Sequence, residues 1–380
     1  MKILFTLDTL ANAGAEKSTL EILSHFSNDT QVKVIYFYPG FDLKADFEKA
    51  GIPLHFADLK GKRSFIEGVR RLCKIIREEK PDLVVSSIMR ADLISRVAGL
   101  ITGTKIIGTL LSDSYGEMRI KEKKDQKQFA KFRFFWLIDK WTSFIPRYWV
   151  SNSLYIAKSN AAALGISKKK IKVIYRGRDT ARFPKWIPPT DNRKFRFVFV
   201  GRILQLKGLG ELLMALDLLR KENPAVHLDI FGDGIYMNQL KQLIKTLQLE
   251  DNVTVHGKVA LGWQKLYEAH CFILPSWYEG FSGSLIEAMI AGIPIIASDI
   301  PMSIEAVTDK KTALLFKVKD HTDLYRKMKL MHFSYDEMID MGARAREEAI
   351  SRFDIGHIAG EYEAFLKSIV NGNVNTNDLV

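Results

Sequence analysis

Two glutamates, Glu279 and Glu287, with seven residues between them, flank Ser282 and Gly283 in the run Ser276-Trp277-Tyr278-Glu279-Gly280-Phe281-Ser282-Gly283-Ser284-Leu285-Ile286-Glu287-Ala288-Met289. The run follows the apolar stretch Cys271–Pro275 and reads as a strand-to-helix turn, opening a helix that ends near Gly292. A helix start leaves backbone N–H groups without intrahelical partners, a seat suited to phosphate oxygens. Carboxylates on either side of such a seat can accept hydrogen bonds from sugar hydroxyls. The ordinary alternative is a helix-dipole charge and a solvated surface glutamate. Earlier in the chain, Arg202 and Lys207 follow the apolar run Phe195–Val200 and precede a helical pattern. Two fixed cations there, with helix-start N–H groups, can sit beside a phosphate and balance its charge, with ordinary surface cations as the alternative. Gly232-Asp233-Gly234 lacks the third glycine of a dinucleotide fingerprint. A turn beside a nucleotide base and a bare structural turn both fit it.

These residues need elements to position them. Short β-branched or aromatic runs alternate with helical patterns along the whole chain. Expected strands in the first half are Lys2–Leu7, Val32–Tyr38, Ile52–Ala57, Asp82–Ser86, Lys105–Leu111, Tyr148–Ser151 and Lys172–Tyr175. In the second half they are Phe195–Val200, His227–Phe231, Val253–His256, Cys271–Pro275, Pro294–Ser298 and Ala313–Phe316. The clearest helix, Ser64–Glu79, places Phe65, Val69, Leu72, Cys73 and Ile76 on one face. Near-continuous apolar strands, each followed by a helix, predict parallel sheets covered on both faces. The stretch Pro184–Asn192 has linker composition. The expected architecture is α/β, with two doubly wound, Rossmann-like domains at 1–185 and 186–370 facing across a cleft. The last helix is a candidate to pack back on the first domain, and residues 371–380 read as a polar, disordered tail. Ligands of such sheets bind outside the carboxyl ends of the strands.

The Glu279-to-Glu287 spacing resembles the E-x7-E signature of retaining glycosyltransferases of the GT-B fold. Glu279-Gly280-Phe281 with Glu287-Ala288-Met289 and Ala291-Gly292-Ile293-Pro294 is similar to family 4, the glycosyl transferases group 1 type. Gly201-Arg202 through Lys207-Gly208 resembles the family's G-R-x4-K-G turn, and Phe231-Gly232-Asp233-Gly234 its G-D-G strand end. Asp251-Asn252-Val253 with His256-Gly257, and Glu305-Ala306-Val307 with Thr312–Phe316, are similar to further family segments. The resemblance covers about residues 148–354. It implies that Glu287 binds the nucleotide ribose, Glu279 the donor sugar hydroxyls, and Arg202 and Lys207 the diphosphate. Gly280, Phe281, Ser282, Gly283, Gly232, Gly234 and Gly14 join them as donor-binding positions. It also implies retention by front-face departure, with no enzymic nucleophile and with the leaving phosphate helping to deprotonate the acceptor. No metal and no cofactor is expected beyond the nucleotide-sugar itself, for which UDP is the expected nucleotide.

The first half departs from the family pattern. Ala13-Gly14-Ala15-Glu16 stands where relatives carry a Gly-Gly loop. Ser112-Asp113-Ser114 replaces a histidine, so Asp113 is either a polar contact to the sugar or a helix N-cap. Arg176-Gly177-Arg178-Asp179 replaces Asn-Gly-Val-Asp. Arg176 and Arg178 are therefore candidates to recognise an anionic acceptor, with plain surface charge as the alternative.

Residues 1–190 carry 34 Lys and Arg against 19 Asp and Glu, a balance of +15, whereas residues 191–380 balance at −3. Within the basic half, Arg119–Trp141 runs from Lys121, Lys123, Lys124 and Lys127 through Lys131 and Arg133 into Phe132, Phe134, Phe135, Trp136 and Trp141. That composition suits an interfacial element on an anionic membrane surface. The alternative is a helix burying Phe132, Trp136 and Leu137 in its own domain.

Other functions are poorly supported. The chain is 380 residues long, 47% hydrophobic and 26% charged. Two cysteines exclude a disulfide scaffold or a cysteine-based zinc cluster. No run is long enough for a spanning helix, and Asp8 interrupts the short apolar start that mimics a signal peptide. A cytoplasmic protein, peripheral on the inner face of the membrane, is expected. H-E-x-x-H, the P-loop pattern and paired D-x-D aspartates are absent, and Gly280–Ser284 fails G-x-S-x-G at its last position. The expected activity is transfer of a sugar to a saccharide or lipid-linked saccharide in cell-surface polysaccharide synthesis. A sugar-nucleotide epimerase or a phosphorylase of the same fold is the nearest alternative. A basic nucleic-acid-binding protein is the alternative of a different class, although no nucleic-acid module is present.

Overall fold

The computed structural model describes residues 1–60, 64–125, 127–190 and 194–380. The chain divides into two compact units, Met1–Gly177 with Ile355–Val380, and Arg178–Asp354.

In the first unit, strands β1 (Lys2–Leu7), β2 (Gln31–Tyr36), β3 (Leu54–Phe56), β4 (Leu83–Ser86), β5 (Ile106–Leu110), β6 (Tyr148–Ser151) and β7 (Ile171–Val173) form one parallel sheet. Its order is β3-β2-β1-β4-β5-β6-β7, so the winding reverses between β1 and β4. Helices α1 (Gly14–Leu23), α2 (Lys44–Lys49), α3 (Ser64–Glu79), α4 (Met89–Thr102), α5 (Glu117–Asp125), α6 (Phe129–Thr142) and α7 (Leu154–Leu164) connect the strands. Alternation along β1 sends Ile3, Phe5 and Leu7 to one face and Leu4 to the other. The Leu4 face packs on Val69, Leu72, Cys73 and Ile76 of α3. Cys73 is a buried core thiol, as its place in the helical stripe suggests, whereas Phe65 at the start of that stripe is 43% exposed.

The second unit holds β8 (Phe195–Val200), β9 (Val226–Phe231), β10 (Val253–Gly257), β11 (Cys271–Leu274), β12 (Ile295–Ser298) and β13 (Leu314–Phe316) in a parallel sheet ordered β10-β9-β8-β11-β12-β13. Its helices are α8 (Leu209–Glu222), α9 (Met237–Thr246), α10 (Gly283–Ala291), α11 (Pro301–Ala306), α12 (His321–Phe333) and α13 (Tyr335–Phe353). Phe195, Phe197 and Phe199 of β8 share a core with Leu212, Leu216 and Leu219 of α8 and Leu324 and Met328 of α12. Here the winding reverses between β8 and β11, the strands that feed the loops carrying Arg202, Lys207 and Glu279.

The final helix, α14 (Ile355–Asn371), returns to the first unit. Ile358, Tyr362, Phe365, Leu366 and Ile369 complete the face made by Ile3, Phe5 and Leu7. The segment expected to be a linker is instead fixed to the second unit. The Trp186 indole is buried, donating from Nε1 to the Ala269 carbonyl (3.1 Å), and its backbone N–H donates to Ala291 (2.8 Å). The units therefore part at 177/178, not at 185/186; Asp191 and Asn192 of that segment lie outside the described residues. The tail also differs from the expected disorder. Val374 and Leu379 pack against the first core, and the Val380 N–H donates to the Ile171 carbonyl (3.0 Å). The apolar side chains Val374 and Leu379, set among polar neighbours, account for this.

Among the described residues no helix is long and apolar enough to cross a membrane.

Candidate active site

Backbone packing sets the donor-side loops of the second unit. Gly208 has φ +66°, and a Cβ there would lie 2.0 Å from the Pro275 carbonyl oxygen, so only glycine lets the turn after β8 approach the end of β11. The Trp277 N–H then donates to the Leu206 carbonyl (2.8 Å), joining the two loops directly. The β9 turn closes on the same edge. A Cβ on Gly232 would lie 1.8 Å from the Gly201 oxygen and one on Gly234 2.2 Å from the Ile203 oxygen. The Ile203 N–H donates to Asp233 (2.9 Å).

Within this frame the Lys207 ammonium makes a close ion pair with Glu279 Oε1, both side chains being nearly buried. Ser276 Oγ donates to the same oxygen at 2.8 Å. Glu279 Oε2 has no hydrogen-bond partner among the described residues. Glu287, in the second turn of α10, receives the Arg178 Nε–H on Oε1 at 2.8 Å, and the Arg178 side chain is 8% exposed. Arg178, expected at an acceptor, is thus turned to a donor-side carboxylate. Arg202 is exposed and makes no ion pair among the described residues, so the structure joins Lys207 to Glu279 but leaves Arg202 outside that pair. Ser282 is the N-cap of α10 with no side-chain cap bond, which leaves first-turn N–H groups to an external partner; Gly283 begins the helix. Phe281 is buried edge-on against Phe353, so its side chain belongs to the core and only its backbone, with Gly280 and Ser282, can line a ligand.

Sequence reasoning missed three neighbours. Ser276 braces Glu279, and its position three residues before the glutamate was the available signal. Lys319, after β13, lies 4.2 Å over the Trp277 ring. The Arg178–Glu287 pair spans 109 positions and left no local signal. His227 and His256 are strand residues that serve the sheet. His227 meets Thr254 (2.9 Å), and His256 stacks on Phe231 and contacts Asp229 (2.7 Å).

In the first unit, Gly14 lies beside Arg176, and a Cβ at 14 would come within 3.2 Å of its guanidinium. In the same first turn of α1, Glu16 is 4% exposed with Oε2 unpartnered. Asp8 accepts from the Ala91 N–H (2.7 Å), and burial pushes its carboxyl up to about 6. Asp113 is turned into its own loop. It accepts from Ser159 Oγ (2.6 Å), and its Oδ2 occupies the space a Cβ of Gly116 would need. It is not the helix N-cap that was one of its two expected roles, since α5 begins only at Glu117; it braces the loop before that helix. No cluster of three or more His, Cys, Asp or Glu suited to a metal occurs among the described residues.

Residues 182–348 match the family model described as glycosyl transferases group 1, and residues 12–182 match glycosyltransferase family 4. An uncharacterized glycosyltransferase of Methanocaldococcus jannaschii is 24% identical over 311 residues, 73% of this chain and 71% of that protein. The capsular polysaccharide biosynthesis glycosyltransferase CapH of Staphylococcus aureus is 25% identical over 304 residues, 79% of this chain and 82% of CapH. The crystal structure of Anabaena HepE in complex with UDP aligns with a TM-score of 0.82 at 21% identity, covering 97% of this chain and 100% of that one. HepE in complex with UDP-glucose aligns equally well, at 0.82 and 20% identity. At these identities the structural likeness establishes the fold.

Proposed function

The chain belongs to the GT-B glycosyltransferases of the family 4 type, and we infer that it transfers a sugar, with retention, from a UDP-linked donor to a saccharide or lipid-linked saccharide acceptor. It is a hexosyltransferase-type enzyme. CapH, by its name a capsular polysaccharide enzyme, and HepE, solved with UDP-glucose, support the polysaccharide and UDP parts of the reading.

The observation that carries it is the Lys207–Glu279 pair, braced by Ser276 where the winding of the second sheet reverses. Each candidate carboxylate is anchored through Oε1, Glu279 by Lys207 and Ser276 and Glu287 by Arg178. In this reading their Oε2 atoms accept hydroxyls, Glu279 from the donor sugar and Glu287 from the ribose. Lys207, Arg202 and the first-turn N–H groups of α10 meet the diphosphate, so the departing charge is balanced without a metal ion. The bond from the anomeric carbon to the β-phosphate oxygen breaks as the acceptor oxygen bonds on the same face. The acceptor proton passes to the leaving phosphate.

Lys207→Ala and Glu279→Gln should each lower kcat on a UDP-sugar by about 10²–10³-fold in protein that remains folded, and Lys207→Ala should also cost about 3 kcal/mol of stability because it strands the Glu279 carboxylate. Turnover equal to that of the parent would remove the assignment. A thermal-shift series with UDP, GDP and ADP, each with and without EDTA, tests the base and the metal. Stabilisation by UDP that survives EDTA is expected, and its loss on chelation would sink the metal-free reading. An NMR assignment of the product anomer decides retention.

A further inference from the structure

Helix α6 is amphipathic in the wrong sense for a helix on a domain surface. None of its residues is fully buried. Phe134, Leu137 and Trp141 are 60%, 46% and 77% exposed, and with Ile138 they line one shallow apolar groove. Their spacing of three and four residues puts them on one face. Phe144, just past the helix, is 70% exposed.

The opposite face is held inward largely by polar contacts. Asp139 pairs with Arg96 (2.7 Å), a side chain only 1% exposed, and Arg96 also donates to Thr142 Oγ1 (2.7 Å). The Tyr115 hydroxyl bonds the other Asp139 oxygen, Tyr115 stacks on Trp136 (5.4 Å), and Trp136 Nε1 donates to the Ala163 carbonyl (3.2 Å). The helix is therefore pinned with its apolar stripe turned out. A stripe of this kind on an ordinary soluble surface has no stabilising partner.

Charge identifies the partner. Lys131 borders the stripe on one side and Arg133 and Lys140 on the other, and all three are exposed. Lys121, Lys124 and Lys127, just before α6, are exposed too. Residues 119–141 carry eight Lys and Arg against three Asp and Glu, one of which, Asp139, is spent on Arg96. Gln126 of this segment lies outside the described residues. Outward aromatics flanked by cations whose stems can reach along the apolar surface match the interface of an anionic bilayer, with rings at the acyl boundary and ammonium groups at the phosphates.

We propose that α6, with the lysines before it, docks this protein on anionic membranes, the Phe134–Leu137–Trp141 face entering the interface. A second copy of the chain would prefer a complementary acidic rim to this cationic one, so the bilayer is the occupant chosen.

Cosedimentation of the full-length protein with vesicles tests it. Binding is expected to phosphatidylcholine vesicles containing phosphatidylglycerol, to be at least tenfold weaker to phosphatidylcholine alone, and to fall with added salt. A triple variant, Phe134→Ser/Leu137→Ser/Trp141→Ser, should lose binding about tenfold or more. So should a charge variant, Lys121→Gln/Lys124→Gln/Lys127→Gln/Lys131→Gln, which leaves the apolar face intact. Both sets are exposed, and an unchanged UDP thermal shift verifies folding. Failure of the parent to bind, equal binding to neutral vesicles, or full binding by either folded variant overturns the proposal. So does lipid-free sedimentation showing a dimer that the triple variant abolishes.

Discussion

Glu287 shows how a single side chain acquires a role from a distant one. Its carboxylate is four-fifths buried, and Arg178 supplies its cationic partner. Arg178→Ala would strand that charge, so a stability loss of about 3 kcal/mol is expected. A weaker titration of UDP should accompany it, because Oε1 loses the donor that orients the group. Arg178→Lys keeps the charge but lacks the Nε geometry, and it should recover stability better than UDP affinity. An Arg178→Ala protein with unaltered UDP affinity would show that the pair is structural alone. The glutamates and Lys207 were legible in the sequence because strand-turn-helix punctuation surrounds them, and the family resemblance assigns them roles. Arg178 was legible only as an odd residue in a familiar segment. Its true neighbour depends on tertiary folding, which leaves no period in the chain.

Helix α14 docks through an apolar face, and a buried carboxylate on it adds a polar tie. Glu363 reaches back to the segment before β2. It accepts from Ser27 Oγ (2.5 Å), the Ser27 N–H (3.0 Å) and Thr30 Oγ1, and pairs with Lys367 (2.9 Å). Burial works to raise its pKa, but these hydrogen bonds outweigh it and hold the carboxyl at about 2, below its ordinary 4.5. A depressed carboxylate stabilises the fold above its unfolded pKa. That contribution fades as the pH falls from about 4.5 towards 2. Glu363→Gln should therefore cost up to about 3 kcal/mol at pH 7 and much less near pH 2. Urea titrations at the two pH values, with hydrogen exchange along α14, check this; an equal loss at both would place the effect in packing. Strand and helix types were readable to within a residue or two at most ends, since β8 and α3 each carry a strong period. The outward set of α6 was only half readable. Phe132 and Trp136 do face inward, as the buried alternative held, yet Leu137 is exposed, because the angle of the helix is decided by Asp139 and Arg96.

Across the molecule, two parallel sheets follow from alternating apolar runs and helices, and this much was plain from the chain. Strand order was not, since nothing in β4 says that it pairs with β1 and not with β3. The limits of the units were also hidden. Proline-rich composition suggested a joint at 184–192, but a tryptophan within it finds a pocket in the second unit, and burial of an indole outweighs local punctuation.

The first unit is stitched from both ends of the chain, while the second is one uninterrupted run. During synthesis, then, the later-made unit can become native before the earlier-made one. Until Ile358, Tyr362, Phe365 and Leu366 leave the ribosome, the sheet that begins at Lys2 carries an uncovered greasy face. Nascent chains stalled once Asp354 is clear of the exit tunnel should resist protease over 178–354 while β1 and β2 remain sensitive; protection of both together would reverse that sequence of events. A protein built this way waits on a later-made helix to finish an earlier-made sheet, and in that interval the nascent first unit is the part in need of a chaperone.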